Sequence, residues 1–179
     1  FNDALGYYEK ALQADPRDAQ TLYNMGVLLS RMKRPGEAAE KYGEALKWKP
    51  DFAEAHNNLG SLLANAQRLD EAVEHYRRAA ALDPNYARVR VNLASLLAYQ
   101  GQTDEAVRLY EEAIGIKPDG AAARLGLARL LMKSPRKAEA EAQLKKVLEF
   151  EPKNAQALEL MKEFEPAKTS QPAAEGISQ

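Results

Sequence analysis

Residues 19–50 read AQTLYNMGVLLSRMKRPGEAAEKYGEALKWKP. Apolar side chains stand at Leu22, Met25, Val27, Leu28 and Leu29, and again beyond Lys33-Arg34-Pro35-Gly36 at Ala38, Ala39, Tyr42, Ala45 and Leu46. The three-to-four-residue spacing gives each half one apolar face, which predicts two amphipathic helices. The Pro-Gly step between them marks the break. A single helix pair of this size cannot bury its apolar surface alone, so it needs neighbours stacked on it.

The rest of the chain supplies those neighbours. Pro16, Pro50, Pro84, Pro118 and Pro152 are each 34 residues apart. Ala19, Ala53, Ala87, Ala121 and Ala155 keep the same interval, as do Asn24, Asn58 and Asn92. Leu29, Leu63, Leu97 and Leu131 recur in phase, and so do Glu37, Glu71, Glu105 and Glu139, each followed by Ala. Tyr8, Tyr42, Tyr76 and Tyr110 continue the register, with Leu144 in the last copy. A fixed period without insertions is the mark of a repeat architecture.

In the second copy the recurring residues are His56, Leu59, Gly60, Leu63, Ala72, Tyr76 and Pro84. This pattern resembles the tetratricopeptide repeat, with a degenerate Trp-like position filled by Leu22, His56, Arg90 and Arg124. The resemblance implies an all-α fold, a right-handed α-solenoid of 34-residue helix–turn–helix units. The expected layout is the second helix of a truncated repeat at 3–14, four repeats at 19–52, 53–86, 87–120 and 121–154, a capping helix at 155–165, and a disordered tail at 166–179. The half repeat at the start leaves Leu5, Tyr8 and Leu12 expected at a partly exposed edge, and suggests that more protein precedes Phe1.

Gly26 and Gly60 lie mid-helix, where Gly costs about 0.8–1.0 kcal/mol relative to Ala. A neighbouring helix packed too close for a larger side chain would explain them. The tyrosines at 42, 76 and 110 are then expected to pack between units, with hydroxyls at the edge. Asp70 and Asp104 are expected to cap the second helices, and Trp48 to pack between repeats.

Lys and Arg total 25 against 26 Asp and Glu, a net charge of −1, which offers no basic face for nucleic acid. No apolar run is long enough to span a bilayer, so a membrane role would need a missing N-terminal region. There is no cysteine, and the compartment stays open between cytoplasm and periplasm. The two histidines, His56 and His75, fall on different helices without a metal-binding spacing, and are read as solvated or packing residues. No phosphate loop or nucleophile elbow is present. Neither a catalytic constellation nor a cofactor is expected.

In the resembled family, the first helix of each unit lines a concave groove. Carried over, the groove columns are Tyr23, Asn57, Val91 and Leu125; Asn24, Asn58, Asn92 and Gly126; Val27, Ser61, Ser95 and Arg129; and Arg31, Asn65, Tyr99 and Lys133, with Arg88 near the rim. Asn is a mediocre helix former, so three in phase need a reason. One reason is hydrogen bonding between adjacent helices. The other is an amide ladder gripping an extended peptide backbone, similar to the repeat region of O-linked GlcNAc transferases. The Lys and Arg of the chaperone-type carboxylate clamp have no counterpart at the matching positions.

The expected function is thus a non-catalytic module binding a protein or extended peptide in its groove. The alternative is the substrate-binding part of a larger enzyme, such as a glycosyltransferase. A third possibility is self-association through the N-terminal edge.

Overall fold

The structure, a computed structural model, describes residues 2–164. Helices follow in the order α1 (Asn2–Ala14), α2 (Ala19–Arg31), α3 (Pro35–Trp48), α4 (Ala53–Asn65), α5 (Leu69–Leu82), α6 (Ala87–Tyr99), α7 (Thr103–Ile116), α8 (Ala121–Met132), α9 (Lys137–Phe150) and α10 (Ala155–Met161), ending in a 3₁₀ turn, Lys162–Phe164. No strand occurs among the described residues. The helices pair as α2·α3, α4·α5, α6·α7 and α8·α9, and each second helix also packs on the first helix of the next pair. First helices of successive units touch as well, α4 on α6 and α6 on α8. The fold is an all-α solenoid. The tail at 166–179 lies outside the described residues.

Chain punctuation repeats with the helices. In the first three units the first helix ends on a residue with positive φ: Lys33 (59°), Gln67 (61°) and Gly101 (82°). The next N–H reaches back to a carbonyl one turn inside, Arg34 to Leu29, Arg68 to Leu63 and Gln102 to Leu97. This is the left-handed cap that closes helix C-termini. Pro35 and Gly36 therefore lie inside α3, at its first two positions, where a missing N–H costs nothing.

Second helices do not start on the expected aspartates. Arg68 and Gln102 precede α5 and α7, so Asp70 and Asp104 sit in the first turn, too late to cap. There they still face the positive helix end. The periodic glutamates gain a partner instead. Arg34, Arg68 and Arg136 each fork onto the glutamate three residues on, Glu37, Glu71 and Glu139, with both contacts between 2.6 and 2.8 Å. These surface pairs hold the arginines above, and the carboxyls below, their ordinary pKa ranges through the shared hydrogen bonds. Side-chain caps occur at Asp18 on α2 and Asn154 on α10.

The core runs along the stack as one cluster, from Met25 and Leu29 to Val147 and Ala157. A Cβ added at Gly26 would stand 2.7 Å from the Tyr42 ring, and one at Gly60 would stand 3.1 Å from Tyr76 and 3.3 Å from the Ala72 carbonyl. The Tyr42 and Tyr76 rings thus fill the space left by the first helix of their own unit. Gly126 has the corresponding relation to the preceding unit, since its Cβ would lie 2.3 Å from Tyr110. In this arrangement the Tyr110 ring occupies the place that an asparagine side chain would take at the fourth unit.

At the ends, Leu5, Tyr8 and Leu12 are half-buried against the core. Trp48 is not sealed between repeats. It is 49 % exposed, with the Arg17 guanidinium 4.8 Å above its ring, because it lies on the last turn of α3 next to the loop after α1.

Candidate functional site

The columns expected in the groove separate into two chemically different sets. The first set is spent on the protein itself. Asn92 on α6 donates to Asn57 Oδ1 (2.9 Å), Asn57 donates to Asn58 Oδ1 (3.0 Å), and Asn58 donates to the hydroxyls of Tyr23 (3.3 Å) and Tyr42 (3.4 Å). The amides pass hydrogen bonds from the third unit through the second into the first. Asn57 is only 2 % exposed, the one buried polar side chain among the described residues. It therefore does not line the groove surface; it is sealed between units, where its amide must find partners within the protein. Leu125, in the same column, belongs to the core.

Aromatic rings close around this relay. Tyr23 packs 4.7 Å from Phe52 and 5.7 Å from Tyr42. Burial holds the Tyr23 hydroxyl above its ordinary pKa, so it stays protonated at neutral pH. Burial acts likewise on Tyr76 and Tyr110, whose hydroxyls meet Ser61 (3.0 Å) and Ser95 (2.8 Å). Both serines donate to the carbonyl one turn back, Asn57 and Val91. Each hydroxyl has one proton, so Tyr110 must be the donor to Ser95. Ser61 and Ser95 thus join first and second helices. Val27, in their column, is half-buried against the core. Asn24 accepts from Gln20 (3.2 Å) and keeps its own amide hydrogens free.

The second set faces outward. Arg31, Asn65, Tyr99 and Lys133 form one column at the ends of α2, α4, α6 and α8, and all four are exposed. Tyr99 is 73 % exposed, an unusual state for a ring with no packing partner. Beside it a cavity of about 310 Å³ opens between α4 and α6, bordered by Asn65, Gln67, Leu69, Tyr76, Asn92 and Ser95. A second cavity, of about 410 Å³, lies between the starts of α6 and α8, bordered by Arg88, Val91, Lys117, Asp119 and Glu151. Arg88 is exposed and lies over the Tyr86 ring (5.4 Å), and Arg129 is exposed and reaches Gln156 (3.2 Å). The exposed residues thus offer an aromatic face, amides and cations along four consecutive units.

Of the two readings left open by the sequence, the histidines are packed residues, half-buried against each other. His56 on α4 and His75 on α5 meet at 2.8 Å, Nδ1 to Nδ1, and His56 Nε2 lies 3.1 Å from the Pro50 carbonyl. Sequence spacing hid them because they lie on the facing helices of one unit. The aligned positions in the fourth unit, Arg124 and Gln143, also meet, and would have pointed to the pairing. Among the described residues, no group of three or more His, Cys, Asp or Glu side chains is arranged to hold a metal ion.

Three tetratricopeptide repeat models match, over residues 7–40, 51–119 and 97–163. The crystal structure of MamA is 30 % identical and superposes with a TM-score of 0.76, covering 84 % of this chain and 88 % of its own. This chain is a tetratricopeptide repeat protein. The repeat protein is also similar to PilF of Pseudomonas aeruginosa, at 26 % identity and a TM-score of 0.78, covering 88 % of this chain and 73 % of that one. YrrB, described as a tetratricopeptide repeat protein with an unusual peptide-binding site, shares the fold at 24 % identity and a TM-score of 0.76, over 90 % of this chain and 83 % of its own. No curated protein sequence gives a significant match. Membership in this repeat family supports a protein-interaction role. No helix among the described residues is long and apolar enough to cross a membrane.

Proposed function

We propose that this repeat protein binds an extended peptide segment along its first-helix face, and that the contact surface is the column Arg31–Asn65–Tyr99–Lys133 rather than the asparagines above it. One observation supports the reading: these four residues stand in phase on successive units, exposed and without a hydrogen-bond partner, while Asn57 and Asn58 spend their amides inside the stack. An extended chain advances about 3.3 Å per residue, so a segment crossing four units meets a side chain of this column every few residues. Tyr99 is the expected anchor, because aromatic side chains near the centre of an interface carry most of its energy. Arg129 and Arg88 flank that path, and Ser95 and Asn65 border the adjoining cavity.

Selection of peptides from a random display library on the intact chain tests this. A selected peptide should bind Tyr99→Ala at least roughly tenfold more weakly, the loss of about 2 kcal/mol typical of an aromatic anchor. Unchanged affinity in Tyr99→Ala and in Arg31→Ala would place the contact surface elsewhere.

A further inference from the structure

We propose that the His56–His75 pair is a proton-operated clip between α4 and α5 that releases the second unit, and with it the centre of the groove face, as the medium becomes mildly acidic. The argument begins with proton positions. His56 Nε2 can bond the Pro50 carbonyl only as a donor, because a carbonyl only accepts. The neutral His56 ring then has a bare Nδ1. The 2.8 Å contact with His75 Nδ1 therefore requires the proton to sit on His75. One hydrogen lies between the two rings, and each histidine is held in one tautomer. Protonating His56 puts an N–H on both sides of that contact. The hydrogen bond is lost and two donors face each other at 2.8 Å. Protonating His75 on its far nitrogen keeps the bond but puts a cation against a half-buried neutral ring.

The surroundings set how readily this happens. α5 brings Glu74, whose carboxylate favours a charged His75, and Arg78, whose charge opposes a proton on His56. Glu71, also on α5, adds weakly to the first effect. α3 and the loop after it contribute Leu46 and the Pro50 carbonyl, neither of which titrates. Burial is the largest influence on both rings and pushes both below the ordinary value of 6.5. The unfolded chain therefore takes up protons first. Stability from the pair is full above pH 6.5 and drains as pH falls below it. These are the chain's only two histidines, and ordinary carboxylates titrate near pH 4, so the window belongs to the pair.

The consequence reaches the groove because α4 carries Asn57 and Asn58, the middle of the amide relay, and Asn65 of the exposed column. The fourth unit contains a version built without histidine. There Arg124 Nε donates to the Pro118 carbonyl (2.9 Å) and its Nη1 to Gln143 (2.6 Å), at the positions of His56 and His75. Neither residue is a histidine.

Hydrogen exchange on the intact chain at pH 7.5 and pH 5.5, corrected for the intrinsic rate, decides the matter. Amides of α4 and α5 should lose protection at the lower pH while those of α8 and α9 keep theirs. In the double variant His56→Arg/His75→Gln, which installs the fourth unit's pair, the difference should disappear. In His75→Leu, protection in α4 and α5 should be reduced already at pH 7.5 and should change less with pH. A wild-type profile that is flat between the two pH values would overturn the proposal. So would an equal loss across all helices, or a pH effect that persists in the double variant. Repeating the series in EDTA should change nothing; a protection loss at pH 7.5 on adding the chelator would reveal a metal site instead.

Discussion

At Gly60 the backbone of α4 leaves room for a hydrogen and little more, since a Cβ would press on Tyr76 and on the Ala72 carbonyl. At Gly43, in the interior of α3, a Cβ would meet nothing within 4 Å. The same residue type should therefore respond in opposite ways. Gly43→Ala should raise stability by about 0.8–1.0 kcal/mol through helix propensity alone, whereas Gly60→Leu should lower it by at least about 1–3 kcal/mol from overpacking. Thermal melts of the two variants check both signs, and a neutral Gly60→Leu would refute the close-packing account. The crowding at Gly60 was legible in the sequence, because a helix-breaking residue kept in phase asks for a steric cause. The burial of Asn57 was not. Its column reads Tyr, Asn, Val, Leu, and only the neighbouring unit's Asn92 shows that its amide is used inward. Trp48 differs for a related reason: an aromatic at a helical period predicts a core side, but on the last turn of α3 the ring stays 49 % exposed, under the Arg17 guanidinium.

Helix ends were less legible than helix faces. The period located the breaks, yet Pro35 and Gly36 belong to α3 rather than to the turn, and the turn itself needs only one left-handed residue, Lys33, Gln67 or Gly101. A side chain in that conformation costs roughly 1–2 kcal/mol, more than the added flexibility of Gly, about 0.5–1 kcal/mol. Gln67→Gly should thus stabilise by up to about 1 kcal/mol, and Gly101→Ala should destabilise by a similar amount, both read from denaturant midpoints at constant slope. Equal and opposite changes would show that the three turns are one structural device, even though one of them alone carries the residue that advertises it. The aspartates at 70 and 104 look like caps in the sequence because acidic residues favour both the cap and the first turn. Distinguishing the two needs the backbone position of the helix start, which the forked Arg–Glu pairs mark instead.

Among the described residues, the main contacts of each unit are with its neighbours, so stability is close to a sum of unit and interface contributions. The amide relay from Asn92 through Asn57 and Asn58 to Tyr23 and Tyr42 is one such interface contribution spanning three units. Asn57→Ala leaves two half-buried partners, Asn58 and Asn92, without their bond and should cost about 1 kcal/mol. The proposed peptide contacts, by contrast, fall on the exposed column at the helix ends. The repeating helix pairs could be read from one 34-residue ruler, whereas the groove-bearing helices were only what the family resemblance implied; which first-helix residues keep free polar groups could not be read, because that depends on hydrogen bonds between units. Side-chain amide NMR during titration with a selected peptide separates the two sets most directly. The Asn65 NH₂ signals should shift with the peptide while those of Asn57 stay in place. Movement of the Asn57 and Asn58 signals with Asn65 unchanged would contradict the assignment of binding to the Arg31–Asn65–Tyr99–Lys133 column.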